Sequence, residues 1–313
     1  MPVFGAANQA IGERKFARIE RGAPTGGNAS ELWHALRAGN VTDAVDRTRP
    51  LAAMPGHVIL SNEGLYKVRA ETMRDFCSAL RAMSYRPKCL VLFRPQIEQT
   101  VAAFVQHVKS KGASGPTSLS DFALSQDYAE RRNWHLCAHR LEEAFGSENL
   151  TVKWYPAVIR RGGIQHALFD WLGLPAPDIP MPKINPTPGW EALHIIQVLN
   201  QAGLGGRRFL DRLLAAASSR GLLGAKLALD TETALKVHSA TRSSNEMLLR
   251  QYCVDLSPED ELKSPTPETQ TALDEALMRQ LSELAVRLLI EGGAEQTLVR
   301  RTLGIRDPAG ALT

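Results

Sequence analysis

Arg94 stands where a side chain can do chemistry. It follows the apolar run Cys89-Leu90-Val91-Leu92-Phe93 and precedes Pro95. Five consecutive apolar residues predict a buried strand. Pro95 suits the first turn of a following helix, where a missing N–H leaves nothing unbonded. In an α/β sheet, ligands gather beyond the carboxyl ends of the strands. A guanidinium there, beside the free N–H groups of a helix start, suits a phosphate. The plainer alternative is a surface arginine paired with Glu98. Ser61-Asn62-Glu63 follows a second short apolar run, His57-Val58-Ile59-Leu60. A carboxylate at a strand end can act as a general base if its pKa is tuned. The competing reading makes Ser61 or Asn62 a helix cap, with Glu63 in the first turn. His107 and Lys109 fall near the end of the helix that begins after Arg94. They could meet an anionic acceptor or leaving phosphate, or simply complement the negative end of the helix dipole.

Other constellations are weaker. Gly22 to Ser30 lacks the Gly-Lys-(Ser/Thr) ending and the preceding strand of a phosphate loop. Gly221 to Lys226 follows a helix. His135 and His139 are four residues apart on a helix, but without a third ligand they read as a solvated face rather than a metal site. Cys77, Cys89, Cys137 and Cys253 have no paired spacing and read as buried thiols of a reducing cytosol. No metal is expected.

The elements that must hold these residues follow from periodicity. Strands are expected at 57–61, 89–93 and 150–155. Helices are expected at about 30–38, 66–84, 95–110, 128–145, 163–172, 189–201, 207–219, 234–252 and 269–289. Met73, Phe76, Cys77 and Leu80 give one apolar face at helical spacing. Pro175 to Pro188 carries six prolines and is expected to be an extended loop. The stretch from Val41 to Gly56 reads as irregular, and the final twenty residues as fraying. Leu273, Leu277, Leu281, Leu284 and Leu288 form a stripe more suited to covering neighbouring elements than to a dimer seam. The alternation of strands and helices argues for an α/β fold with parallel strands and crossover helices.

The chain has 313 residues, 22% of them charged and 44% hydrophobic, as in a globular protein. No apolar run reaches the roughly 18–20 residues of a membrane span, and the start lacks the apolar core of a signal peptide. A cytoplasmic location is therefore expected. Lys and Arg number 37 against 33 Asp and Glu. Residues 1–111 carry 16 basic and 9 acidic side chains, so the first third is the basic part and could face an anion. No basic run with interleaved aromatics and no zinc-finger spacing appears, so nucleic acid is not expected as a partner.

Several segments in order carry a resemblance. They are Ser61-Asn62-Glu63; Leu90 to Glu98 with Gln106-His107-Val108-Lys109; and Asp127-Tyr128. They continue with Phe145-Gly146-Ser147-Glu148-Asn149-Leu150; Trp171-Leu172-Gly173-Leu174-Pro175; and Ser243-Ser244-Asn245-Glu246. Together they resemble the bacterial sulfotransferase-like proteins over residues 57–255. The resemblance implies a P-loop NTPase-like fold, a three-layer parallel sheet flanked by helices. It places a domain at 1–255 and a helical appendage at 256–313. It implies 3′-phosphoadenosine 5′-phosphosulfate as co-substrate and a hydroxyl acceptor, often carbohydrate. On that reading Arg94, with Ser61, holds the nucleotide, Glu63 is the base, and His107 and Lys109 contact acceptor or donor.

Two departures from the family pattern stand out. A serine is expected eight residues after the strand-end arginine, and Ala102 occupies that position. The family also opens with a strand and a Lys-(Ser/Thr)-Gly-(Ser/Thr)-(Ser/Thr) loop that cradles the phosphosulfate, and no such run occurs. The expectation is an incomplete amino end, or else a relative that has lost donor binding and serves as a binding module. A P-loop kinase-like phosphotransferase would need a Walker lysine and a magnesium-binding acid, and neither is placed.

Overall fold

The structure is a computed structural model and describes residues 29–50, 58–111, 118–126, 132–176, 188–205, 207–224, 227–252 and 274–305. In chain order it opens with α1 (Ser30–Arg37) and α2 (Val41–Thr48), then a 3-10 turn (Leu65–Lys67) and α3 (Ala70–Ala82). Strand β1 (Cys89–Phe93) leads into α4 (Gln96–Lys111), followed by α5 (Leu119–Leu124) and α6 (Trp134–Phe145). Strand β2 (Leu150–Trp154) leads into α7 (Tyr155–Arg160) and α8 (Gly163–Trp171). The rest is helical: α9 (Trp190–Gln201), α10 (Arg207–Ser219), α11 (Thr231–Tyr252), α12 (Glu275–Glu291) and α13 (Gln296–Thr302). The protein is α/β, mostly helical, with a small parallel sheet.

Three expectations are corrected. No strand forms at 57–61 among the described residues. Instead, Val58 to Asn62 is irregular, and the chain turns sharply after it. The Asn62 side chain accepts a hydrogen bond from the Gly64 N–H at 2.7 Å, which closes a turn where a strand would have continued. The sheet therefore has two strands among the described residues, not three. The stretch after Val41 is a helix, not a loop. Asn40 opens it by accepting from the Asp43 N–H at 3.0 Å, a cap that outweighs the short, polar sequence that follows. The last helix, α13, is held by Val299, which is fully buried. The proline-rich segment 177–187, the amino-terminal loop and Leu273 lie outside the described residues.

The chain divides into two compact units. Unit 1 comprises Met1–Phe93, Asn133–Ile179 and Ser243–Leu256; unit 2 comprises Arg94–Arg132, Pro180–Arg242 and Ser257–Thr313. The last long helix packs through its stripe. Leu281, Leu284 and Leu289 of α12 are buried in one core with Phe104 and Val108 of α4, Leu193, Ile196 and Leu199 of α9, and Leu210 and Leu213 of α10. The stripe covers its neighbours, as its spacing suggests.

Within unit 1 the strands pair in parallel with no offset, Cys89 opposite Leu150 and Phe93 opposite Trp154. Alternate residues face opposite sides. Val91, Phe93, Val152 and Trp154 pack with Trp134, Cys137 and Ala138 of α6. On the other side, the Trp171 indole N–H donates to Thr151 Oγ1 at 3.1 Å, and Lys153 Nζ lies 3.4 Å from Asp170 Oδ2. Helix α6 thus covers one face and α8 the other. A second core joins α1, α2 and α3 through Leu32, Leu36, Ala44, Met73, Phe76 and Leu80. Gly146, with φ at +90°, ends α6 where a side chain would be strained. Arg81 of α3 donates to the orphan carbonyls of Ala144 and Phe145 at 3.2 and 2.9 Å, satisfying that helix end.

Candidate functional site

Arg94 sits where the sequence puts it, between the last residue of β1 and the first turn of α4, and it is half-buried. The Pro95 carbonyl accepts from the Gln99 N–H at 2.9 Å, so Pro95 stands at the helix start as its chemistry requires. Behind this turn lies a polar group that sequence reading missed. Gln96, Thr100 and Arg132 are 3%, 0% and 2% exposed, all within unit 2. Thr100 Oγ1 donates to the Gln96 carbonyl at 2.6 Å and accepts from Arg132 Nη1 at 3.5 Å. Gln96 Nε2 donates to the Arg132 carbonyl at 3.4 Å, and Arg132 Nη2 donates to the Ala123 carbonyl at 2.7 Å. Buried polar atoms persist only when such bonds repay their lost hydration. The one available signal was polar residues at inward positions of an otherwise apolar helix, and it does not identify a partner on another segment.

Ser61 and Glu63 belong to unit 1, and both are exposed. The Ser61 carbonyl accepts from the Ala29 N–H at 3.2 Å, and Glu63 lies in the turn opened by Asn62. They do not stand at a strand end, because no strand forms before them. His107 and Lys109 are half-buried at the far end of α4. At 1.5 Å per helical residue they lie about 20 Å along the axis from Arg94. His107 packs against Phe122, with ring centroids 5.6 Å apart. Arg94 and the His107–Lys109 pair are therefore at opposite ends of one helix rather than converging on one point. Ala102 lies between them on the same helix.

In unit 1, the carboxyl end of the sheet is closed by aromatic rings. Phe93 and Trp134 stack with centroids 5.0 Å apart, and Tyr66 meets Trp134 edge-on at 6.3 Å. The Lys67 ammonium lies 5.3 Å from the Tyr66 ring centre. The helix α6 is tied to the last turns of α11 by a polar seam. Ser244 Oγ donates to Asn133 Oδ1 at 3.0 Å and accepts from the His135 N–H at 3.2 Å. His135 Nε2 lies 2.8 Å from Gln251 Oε1, and Glu142 Oε2 accepts from Gln251 at 3.0 Å and Tyr252 at 2.7 Å. The Ser243–Glu246 segment of the resemblance thus has a positioning task through Ser244. His139 faces Glu142 and Glu143, each at 3.7 Å, on an exposed surface. No group of three or more His, Cys, Asp or Glu side chains that could hold a metal occurs among the described residues.

Burial raises the thiols of unit 1. Cys77 is pushed up to about 11, opposed by Arg81, and Cys137 to about 11, opposed by Arg140 and Lys67. Cys89 is pushed up to about 12 by burial and by the neighbouring Cys77. Burial thus favours the neutral, poorly nucleophilic form of Cys77 and Cys137, while Cys89 is half-buried. No helix among the described residues is long and apolar enough to cross a membrane.

Compared with family models, curated proteins and solved structures, the chain matches none.

Proposed function

We propose that this chain is a sulfotransferase-like protein with a P-loop NTPase-like three-layer fold, working in the cytoplasm. It would move a sulfuryl group from 3′-phosphoadenosine 5′-phosphosulfate to a hydroxyl acceptor of carbohydrate type. The observation that carries the reading is the place of Arg94, between the carboxyl end of a parallel strand and the start of a helix. A nucleotide phosphate there meets a guanidinium and free helix N–H groups together.

In this reaction the acceptor oxygen attacks sulfur and the bond from sulfur to the phosphate oxygen breaks in line. The acceptor proton passes to a base, and adenosine 3′,5′-bisphosphate leaves with the electron pair. Positioning and charge stabilisation dominate such a transfer. In the proposal Arg94 anchors the 3′-phosphate with Ser61 beside the donor, and the Glu63 carboxylate takes the proton. His107 and Lys109 contact the acceptor or the donor. No step requires a metal.

A second reading is favoured by two facts of the sequence: Ala102 offers no hydroxyl, and no Lys-(Ser/Thr)-Gly run occurs. On it, the chain is a relative that has lost donor binding and acts as a binding module. Titration calorimetry of the full chain with adenosine 3′,5′-bisphosphate separates the two. The transferase reading expects saturable binding that weakens about 10–100-fold in Arg94→Ala, the worth of a charge-assisted hydrogen bond at about 1.5–3 kcal/mol. Absence of binding to the wild-type chain overturns it in favour of the binding module.

A further inference from the structure

We propose that Arg132 is a positioning residue for the anion site at Arg94; this rests on the nucleotide-binding reading above. Arg132 is 2% exposed, and a guanidinium withdrawn from water is expensive unless every bond it makes is useful. Three of its bonds reach the first two turns of α4 and the end of α5. One N–H reaches Thr100 Oγ1, whose own proton goes to the Gln96 carbonyl, and the Arg132 carbonyl receives the Gln96 side chain. Arg132, Thr100 and Gln96 thereby form a closed ring of hydrogen bonds. Another N–H goes to the Ala123 carbonyl just inside the end of α5, which anchors the ring to a second element.

The consequence is local. Gln96 is the first residue of α4 and stands two positions after Arg94. Holding Gln96 from both its backbone and its side chain fixes the start of α4, two residues from the base of the Arg94 side chain. Arg132 also keeps a permanent positive charge in the interior of unit 2, bonded at Thr100 and Ala123. A positive charge in a poorly screened interior favours an anion nearby more than a solvated one does. Arg132 acts through Gln96 and Thr100 and need not touch the nucleotide.

The test compares Arg132→Gln, Arg132→Lys and Thr100→Val with Arg94→Ala in the full chain. It reads adenosine 3′,5′-bisphosphate affinity by calorimetry and, separately, the thermal midpoint. Arg132→Gln should weaken binding about tenfold in protein that still unfolds cooperatively, and Arg132→Lys, which keeps the charge but not the fork, should recover part of it. Thr100→Val breaks the ring without removing charge. It should weaken binding too, and the double variant should lose less than the sum. Thr100→Val carries the test if Arg132→Gln does not fold. Unchanged affinity in folded Arg132→Gln and Thr100→Val, beside a clear loss in Arg94→Ala, overturns this inference and leaves the nucleotide reading standing. No binding by the wild-type chain overturns both.

Discussion

The ring of Phe93 and the indole of Trp134 lie 16° from parallel with centroids 5.0 Å apart, so the last residue of β1 is stacked on the first residue of α6. Both side chains are 3% exposed. The pair fixes the carboxyl end of the sheet against the helix that covers it, and adds about 0.5–1.5 kcal/mol beyond the area each ring buries.

Truncating this stack should therefore be severe. Trp134→Ala is expected to lower stability by about 3–5 kcal/mol, the range for a buried aromatic cut back to alanine. Trp134→Phe should cost clearly less because it keeps a ring over Phe93. Urea unfolding followed by circular dichroism measures both, and a loss below about 1 kcal/mol for the alanine variant would show the stack to be unimportant.

Alkaline pH should destabilise unit 1. The thiols of Cys77, Cys89 and Cys137 are raised from an ordinary 9.0 to about 11, about 12 and about 11. The Tyr252 phenol is also raised above 10.0, first by burial and then by its bond to the Glu142 carboxylate. A raised folded pKa gives stability that is fully present below the unfolded value and is lost as pH rises through the folded one. Stability should thus hold to about pH 9 and fall above it, and Tyr252→Phe should make the fall shallower. Iodoacetamide at pH 8 with peptide mapping should find all three cysteines protected until the protein is unfolded. Rapid labelling of Cys77 in the native protein would contradict the burial argument.

The start of α11 carries an acid-sensitive cap. Asp230 accepts from the Thr233 N–H at 2.8 Å and from Ser120 Oγ at 2.8 Å. The hydrogen bonds from Thr233 hold its carboxyl below the ordinary 3.8, with Ser120 adding to them. A lowered folded pKa gives stability present above the unfolded value and lost as pH falls through the folded one. Asp230→Ala should cost about 0.5–2 kcal/mol at neutral pH, as for other lost caps. Asp230→Asn should keep most of the cap and lose its dependence on acid. Denaturation midpoints at pH 7 and pH 3 test this. Identical acid profiles for wild type and Asp230→Asn would remove the cap from the explanation.

Legibility in the sequence followed the range of the interactions. The strand at 89–93 and the helix at 207–219 stand where the pattern puts them, because an apolar run or helical period is a property of neighbouring residues. The short helices α2 and α7 escaped because one or two turns leave too little period to read, and for α2 a single capping bond from Asn40 decides the outcome. The run at 57–61 has the same apolar flavour as β1, yet a bond between Asn62 and the Gly64 N–H turns the chain after it.

The candidate site divides in the same way. The sequence by itself determined that Arg94 follows a strand and opens a helix, since both elements are written within twenty residues around it. It also determined that His107 and Lys109 ride on that helix. Only the tertiary structure decided that Glu63 sits in an exposed turn and that Arg132 is buried behind Gln96 and Thr100. Those outcomes depend on which distant segments share a core. That choice is set by the summed burial of α4, α9, α10 and α12, not by any spacing the chain displays locally.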